Sequence, residues 1–163
     1  MAKIIALCGK ICSGKSTYAE KIRKKYNAVV LNADTIMLSL FDEQLGVKHD
    51  EIDKKVTQYL YSMTEKIIDT DTNVILDFGF WTYKARQDTR LYFTDKGIEI
   101  EFHYVNTPIN MIENNVVKRN ENRSKTSYYI DENILKKCLD SFEEPNNYEI
   151  VLTIENNPKA AFE

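Results

Sequence analysis

The run Gly9-Lys10-Ile11-Cys12-Ser13-Gly14-Lys15-Ser16 spaces two glycines five residues apart and follows the second with a lysine and a hydroxyl. That spacing suits the gripping of phosphate. Backbone freed of Cβ at Gly9 and Gly14 can curl so that successive N–H groups converge on phosphate oxygens. A helix beginning at Lys15 would aim its positive end at the same point. Lys15 would reach the β- and γ-phosphates of a nucleotide, the Ser16 hydroxyl would ligate Mg²⁺, and Thr17 is placed to touch the α-phosphate. The expected nucleotide contacts are therefore Gly9, Lys10, Ile11, Cys12, Ser13, Gly14, Lys15, Ser16 and Thr17. Context agrees, because the run lies directly between an apolar strand pattern and a helical one.

Two carboxylates extend this chemistry. Asp77 closes the apolar run Val74-Ile75-Leu76, the position from which an acid holds the metal, often through water. A helix cap or a surface turn is the plainer use for such a residue. Phe78 stands next, where mechanical ATPases generally place a second carboxylate to activate water, which favours transfer to a substrate over hydrolysis. Asp34 follows Leu31-Asn32-Ala33, just past a second apolar run. Ligands of open parallel sheets bind beyond the carboxyl ends of the strands. A carboxylate there can take the proton of an attacking hydroxyl, and it can equally cap a helix starting at Thr35. Further on, Lys118-Arg119-Asn120-Glu121-Asn122-Arg123 puts two arginines one turn apart. They would either close over the nucleotide and spread charge in the transition state or simply complement a helix C-terminus.

The elements that must position these residues alternate along the chain. Apolar runs at 3–8, 28–31, 73–78, 98–105 and 149–154 read as strands, the first two buried and the fourth partly open to water. Helical periodicity covers 15–25, about 35–41, 50–69, 82–94, a helix opened by Thr107-Pro108, and 131–142, with Asp42–His49 read as a loop. Such alternation predicts one α/β domain over 1–163, a parallel sheet of five strands with helices on both faces.

Composition narrows the function. Of 163 residues, 43% are hydrophobic and 29% charged, and 22 basic against 25 acidic residues leave a net charge of -3. That balance argues against an extended nucleic-acid surface, though not against one phosphorylated end. Cys8, Cys12 and Cys138 show neither paired metal spacing nor a disulfide framework. No apolar run reaches membrane-spanning length, so a cytoplasmic protein is expected.

Together the segments GKICSGKST, LNADTIMLSLF, VILDFGFWTYKARQ and KRNENR resemble, in order and over nearly the whole chain, the small P-loop kinases. Some of these carry an AAA-ATPase label; polynucleotide 5′-hydroxyl kinases, zeta toxins and chloramphenicol phosphotransferase are relatives. The resemblance implies strand order 2-3-1-4-5, a mobile lid at about 119–130, and Asp34 as catalytic base. It also implies an acceptor-side arginine at Arg86, where an ordinary solvated helix charge is the alternative, and adenine held between the lid and the loop at 155–158. Trp81 would wall the acceptor pocket unless it only packs the core. No Asn-Lys-x-Asp guanine-reading motif occurs, which favours ATP over GTP. The expected activity is Mg²⁺- and ATP-dependent transfer of the γ-phosphoryl group to a hydroxyl of a small molecule or nucleotide. An ATP-binding regulatory module and a stand-alone ATPase are the alternatives.

Overall fold

In the computed structural model, residues 1–41, 45–125 and 127–156 are described. Elements follow in the order β1 (Ile4–Cys8), α1 (Lys15–Arg23), β2 (Ala28–Asn32), α2 (Ala33–Leu40), a short 3-10 turn (Gly46–Lys48), α3 (His49–Ile68), β3 (Asn73–Gly79), α4 (Tyr83–Thr94), β4 (Ile100–Asn106), α5 (Ile109–Glu121), α6 (Glu132–Asp140) and β5 (Leu152–Glu155). All strand pairings are parallel, and the sheet order is β2-β3-β1-β4-β5, as the resemblance implies.

Why β1 is apolar throughout follows from its place. It pairs with β3 on one side and β4 on the other, and every residue from Ile4 to Cys8 is fully buried. Alternate side chains leave opposite faces. Ile4, Ala6 and Cys8 join Phe93 of α4 and the flank of α3, whereas Ile5 and Leu7 meet Ala19 and Ile22 of α1. Apolar groups on both faces let the strand carry a helical layer on each side, the arrangement that buries parallel sheets. The carboxyl ends of β1, β2 and β3 then open onto one rim, where the phosphate-gripping loop, Asp34 and Asp77 lie.

Several expectations change. β2 is an edge strand with Val29 exposed, because β3 covers only one of its sides. β4 is more deeply buried than its alternating pattern suggests. His103 is enclosed between Tyr18 and Glu101, and Lys3 caps the same carboxylate, so polar partners replace the water its sequence seems to want. Helix α2 begins at Ala33 and is capped by Asn32, whose side chain accepts from the Thr35 N–H, so Asp34 is not the cap. Helix α6 ends at Asp140; Phe142 lies beyond it, stacked on Tyr104. Part of the expected loop, 42–44, lies outside the described residues.

The largest correction concerns Arg86. The resemblance puts it at the acceptor, yet it is fully buried. Its Nε donates to Glu149 Oε1 at 2.7 Å, and Nη1 donates to the carbonyls of Phe80 and Glu143 at 3.0 Å each. The guanidinium therefore ties the end of β3 to the segment leading into β5, which begins at Leu152 and not at Glu149. Burial opposes the Glu149 charge, but hydrogen bonds from Arg86 and the Asn146 amide outweigh it and lower the carboxyl pKa from 4.5.

Removing one partner of such a pair strands a buried charge. Glu149→Ala should cost about 3–5 kcal/mol in urea unfolding, and the double variant Arg86→Met/Glu149→Leu should regain most of it. A lowered carboxyl pKa means the contribution is complete above the ordinary glutamate value and fades as pH falls through the lower folded one. The stability gap between wild type and Glu149→Ala should therefore narrow only in acid. A Glu149→Ala protein as stable as wild type at neutral pH would show the pair to be dispensable.

Candidate active site

The loop after β1 is folded by steric demands at its glycines. A Cβ on Gly9 would stand 2.7 Å from Ser13 Oγ and 2.8 Å from the Val105 carbonyl, so only glycine lets the loop close on itself. Gly14 takes φ 94° and forms the N-cap of α1, whose first turn holds no acidic side chain. Its positive end is thus left to an anion.

Other elements brace this loop in ways its sequence does not announce. Thr107 Oγ1 and Asn156 Nδ2 donate to the Ser13 carbonyl at 2.7 and 3.1 Å, and Asn115 Nδ2 donates to the Cys12 carbonyl at 3.0 Å. These bonds fix the loop's carbonyls, while the Gly9 and Ser13 N–H groups donate to the Gly79 and Lys10 carbonyls at 3.3 Å each. Thr107, Asn115 and Asn156 carry no motif, and the helix-opening Thr107-Pro108 pair was the only clue to any of them. The Lys10 ammonium sits 5.2 Å from the Phe142 ring centroid, and the residue does not line the cleft.

Lys15 lines the cleft half-buried and folds back on its own loop. Its ammonium donates to the carbonyls of Lys10 at 2.7 Å and Gly9 at 3.0 Å. Burial lowers its pKa, and the charge of Asp77 opposes that shift. Curling back on its own loop keeps the charge satisfied.

Asp77, 6% exposed, is buried at the end of β3. Its Oδ2 accepts from Ser16 Oγ at 2.6 Å and from Asn32 Nδ2 at 2.7 Å. A serine hydroxyl against a carboxylate beside the lysine is the donor set Mg²⁺ takes when phosphate oxygens and water complete its octahedron. No group of three His, Cys, Asp or Glu able to hold a metal by themselves occurs among the described residues. The residues present therefore fit a cation that arrives with phosphate. Asn32 went unnoticed in the sequence; its register opposite Asp77 is the signal that finds it.

Asp34 lies in the first turn of α2 and lines the same cleft. Its side chain is exposed at the cleft, yet the protein around it partly desolvates the carboxyl and raises its pKa; Arg119 opposes this, while Asp77 and Asp53 add to it. Asp34, Asp77, Lys15 and Arg119 are thus within electrostatic reach of one another. Arg119 donates through Nη1 to Cys12 Sγ at 3.6 Å, and its Nε is buried without a hydrogen-bond partner. An orphaned guanidinium donor of this kind is costly and fits a missing phosphate oxygen. Arg123 stands over the Tyr129 ring, 6.0 Å from its centroid, and also lines the cleft.

The segment carrying these arginines is pinned at its far end. Asn120 bonds both the N–H and the carbonyl of Ile130, which is buried against Ile112 and Val116. Across the cleft, Trp81 is a half-buried wall residue. Gly79, at φ 88°, makes room for it, since a Cβ there would come within 2.8 Å of Trp81 Nε1. The cleft totals about 2000 Å³, more than one ordinary ligand fills. Of the expected adenine loop at 155–158, Glu155 and Asn156 are described and the rest lies outside the described residues.

A family profile described as an AAA domain matches residues 4–145. A comparison with curated protein sequences found no match. Among solved structures, a chain of the Pnkp1/Rnl/Hen1 RNA repair complex aligns at TM-score 0.71 and 26% identity, over 86% of this chain and 43% of that one. The protein thus spans less than half the length of that relative. Kti12 of Chaetomium thermophilum, solved with ADP-AlF3, aligns at TM-score 0.74 and 16% identity, over 97% of this chain and 92% of its own. The APS kinase CysC of Mycobacterium tuberculosis, solved with AMPPNP and APS, aligns at TM-score 0.70 and 19% identity, over 96% and 89%. A profile spanning most of the chain, set on a 2-3-1-4-5 parallel sheet with a phosphate loop after its central strand, means that this chain belongs to the AAA-domain family and has the fold of the small P-loop kinases.

Proposed function

We propose that the protein is a kinase that moves the γ-phosphoryl group of ATP to a hydroxyl of an acceptor bound in the same cleft. The observation that carries this reading is Asp34, a carboxylate without a hydrogen bond or ion pair among the described residues, opening into the cleft beside Asp77, Lys15 and Arg119. A site built only to hold nucleotide has no use for it.

In the proposed reaction, the loop N–H groups and α1 bind the phosphates, and Lys15 leaves its own carbonyls to meet them. Ser16 and Asp77 would hold Mg²⁺, which when bound neutralises charge on the β- and γ-oxygens. Asp34 orients the acceptor hydroxyl and takes its proton as the oxygen bonds to the γ-phosphorus. The bond to the β-phosphate oxygen breaks, and the electron pair leaves on ADP. Arg119 and Arg123 steady the transferring group, and the segment at 119–130 acts as a lid that keeps water out. Phe78 beside Asp77, in place of a second acid, favours an alcohol over water as the nucleophile.

Asp34→Asn should leave ATP affinity, measured by calorimetry, unchanged while lowering acceptor-dependent ADP release by roughly 10²- to 10⁴-fold. Because the base must be ionised and its pKa is raised in the free protein, the acid limb of the kcat/KM profile for the acceptor should lie above the ordinary aspartate range and vanish in Asp34→Asn. Unchanged transfer in that variant would point to a binding module.

Arg123→Ala should reduce turnover by on the order of 10³-fold and weaken ATP binding far less, if its charge matters chiefly as transfer proceeds. A raised KM for ATP with unaltered kcat would make it a ground-state clamp. Lys15→Ala should abolish nucleotide binding with the far-UV circular dichroism unchanged; binding as tight as wild type would remove the basis for the function.

A further inference from the structure

Cys12 stands in a conformation its side chain disfavours. With φ 53° it lies in the left-handed region, just before the buried Ser13, where a loop of this kind is most easily built with glycine. Backbone strain of that sort persists only where surrounding contacts hold it. Two such contacts come from one face of α5. Asn115 Nδ2 donates to the Cys12 carbonyl at 3.0 Å, and Arg119 Nη1, one turn further along the helix, donates to the Cys12 thiol at 3.6 Å. A glycine would relieve the backbone and lose the second contact.

Arg119 has a stronger acceptor within reach than the one it uses. Asp34 is close enough for the Arg119 charge to act on it, yet the two form no ion pair among the described residues. A carboxylate accepts from a guanidinium far better than a thiol, which is a weak acceptor. Left to itself, the arginine would close on Asp34, and each would neutralise the other. The thiol instead orients one nitrogen and leaves the guanidinium charge uncompensated, with Nε buried and unpartnered. Cys12 and Ile11 also pack against the apolar cluster of Ile112, Val116 and Ile130, which holds the sulfur in place.

We propose that Cys12 and Asn115 are positioning residues that together hold Arg119 at the nucleotide and away from Asp34. Asn115 sets the backbone of Cys12, and the Cys12 thiol sets the guanidinium. The inference rests on the phosphotransfer reading above and assigns the contacts that keep base and arginine apart until substrates arrive. Neither Cys12 nor Asn115 takes part in a bond change. With ATP bound, Arg119 meets phosphate from the position it already holds, and Asp34 stays free to accept the acceptor proton.

Calorimetry on the whole protein compares two ligands. Mg·AMPPNP stands for bound ATP, and Mg·ADP with aluminium fluoride stands for the phosphoryl group in transfer. Cys12→Ala should weaken the second by about tenfold or more and the first by less than about threefold, since Arg119 acts chiefly on the transferring group. Asn115→Ala should give the same selective loss. Cys12→Ser, which keeps an acceptor, should recover most of it; if the thiol served only packing, serine would do no better than alanine. In an Arg119→Ala background, Cys12→Ala should cause no further loss. Where an acceptor is turned over, kcat should fall along with the second affinity, and the KM for ATP should move less. Unfolding midpoints check that each variant is folded. Equal losses for both ligands, serine no better than alanine, or losses that add to those of Arg119→Ala would each overturn the proposal and leave the kinase reading standing. A wild-type protein that binds AMPPNP but neither tightens on ADP with aluminium fluoride nor phosphorylates any acceptor overturns the kinase reading, and this proposal with it.

Discussion

One carboxylate oxygen holds the site together. Asp77 Oδ2 receives hydrogen bonds from Ser16 at the start of α1 and from Asn32 at the end of β2. Three elements separated in sequence are thereby locked at one point: the phosphate loop with its helix, the edge strand, and β3. The same Asn32 side chain caps α2 through its Oδ1, which fixes the helix that carries Asp34 two residues later. The candidate base and the candidate metal ligand are therefore not set independently. A shift of one residue in the β2–β3 register would turn Asn32 to the wrong face and separate them. The register that prevents this, Ala28 to Asn32 opposite Asn73 to Asp77, is held by backbone pairing along five residue pairs.

Much of the charge in this site is tied up by neighbouring groups. Lys15 is satisfied by the carbonyls of its own loop, Asp77 by two neutral donors, and Arg119 by a thiol at one nitrogen while another is left orphaned. Groups already desolvated need little reorganisation when a ligand arrives, which is how a fixed polar site stabilises developing charge better than water. The cost appears as shifted titration: Lys15 is pushed down chiefly by desolvation, and Asp34 up by partial desolvation with the nearby Asp77 and Asp53 charges adding to it.

Much of this was legible in the sequence, for physical reasons that differ by element. The phosphate loop could be read because its chemistry depends on local spacing: Gly9, Gly14, Lys15 and Ser16 act within one turn of chain. The strands could be read because β1 and β3 are enclosed by neighbours and must be apolar on both faces. β4 was misjudged because His103 and Glu101 look like a wet face, and only the partners Tyr18 and Lys3, from distant segments, make them burial-compatible. Arg86 shows the same limit at the site. Its partner, Glu149, is 63 residues away, and no local pattern distinguishes an arginine reaching a ligand from one reaching the core. Asn32, Thr107, Asn115 and Asn156 escaped notice because they act on backbone or on a neighbouring strand, which needs only an ordinary amide or hydroxyl in the right place.

The polar cluster behind the loop answers a different need. Tyr18 on α1 bonds His103 Nδ1 at 2.9 Å, His103 Nε2 lies 3.0 Å from Glu101, and Lys3 donates to the same carboxylate at 2.8 Å. A carboxylate only accepts, so Nε2 carries the proton. Burial lowers the His103 pKa against the pull of Glu101, keeping the ring neutral. Nδ1 is therefore the acceptor and the Tyr18 hydroxyl the donor. Apolar contact of Ala19 and Ile22 with Ile5 and Leu7 presses α1 onto the sheet but tolerates sliding. A directional bond from Tyr18 to a fixed ring does not, since a shift of an ångström breaks it. With Thr17 next to Tyr18 and Ser16 tied to Asp77, the first turn of α1 is held from the strands on both sides of β1, Asp77 on β3 and His103 on β4. The phosphate-facing end of the helix thus keeps its position without a ligand, which is what a preorganised phosphate site requires.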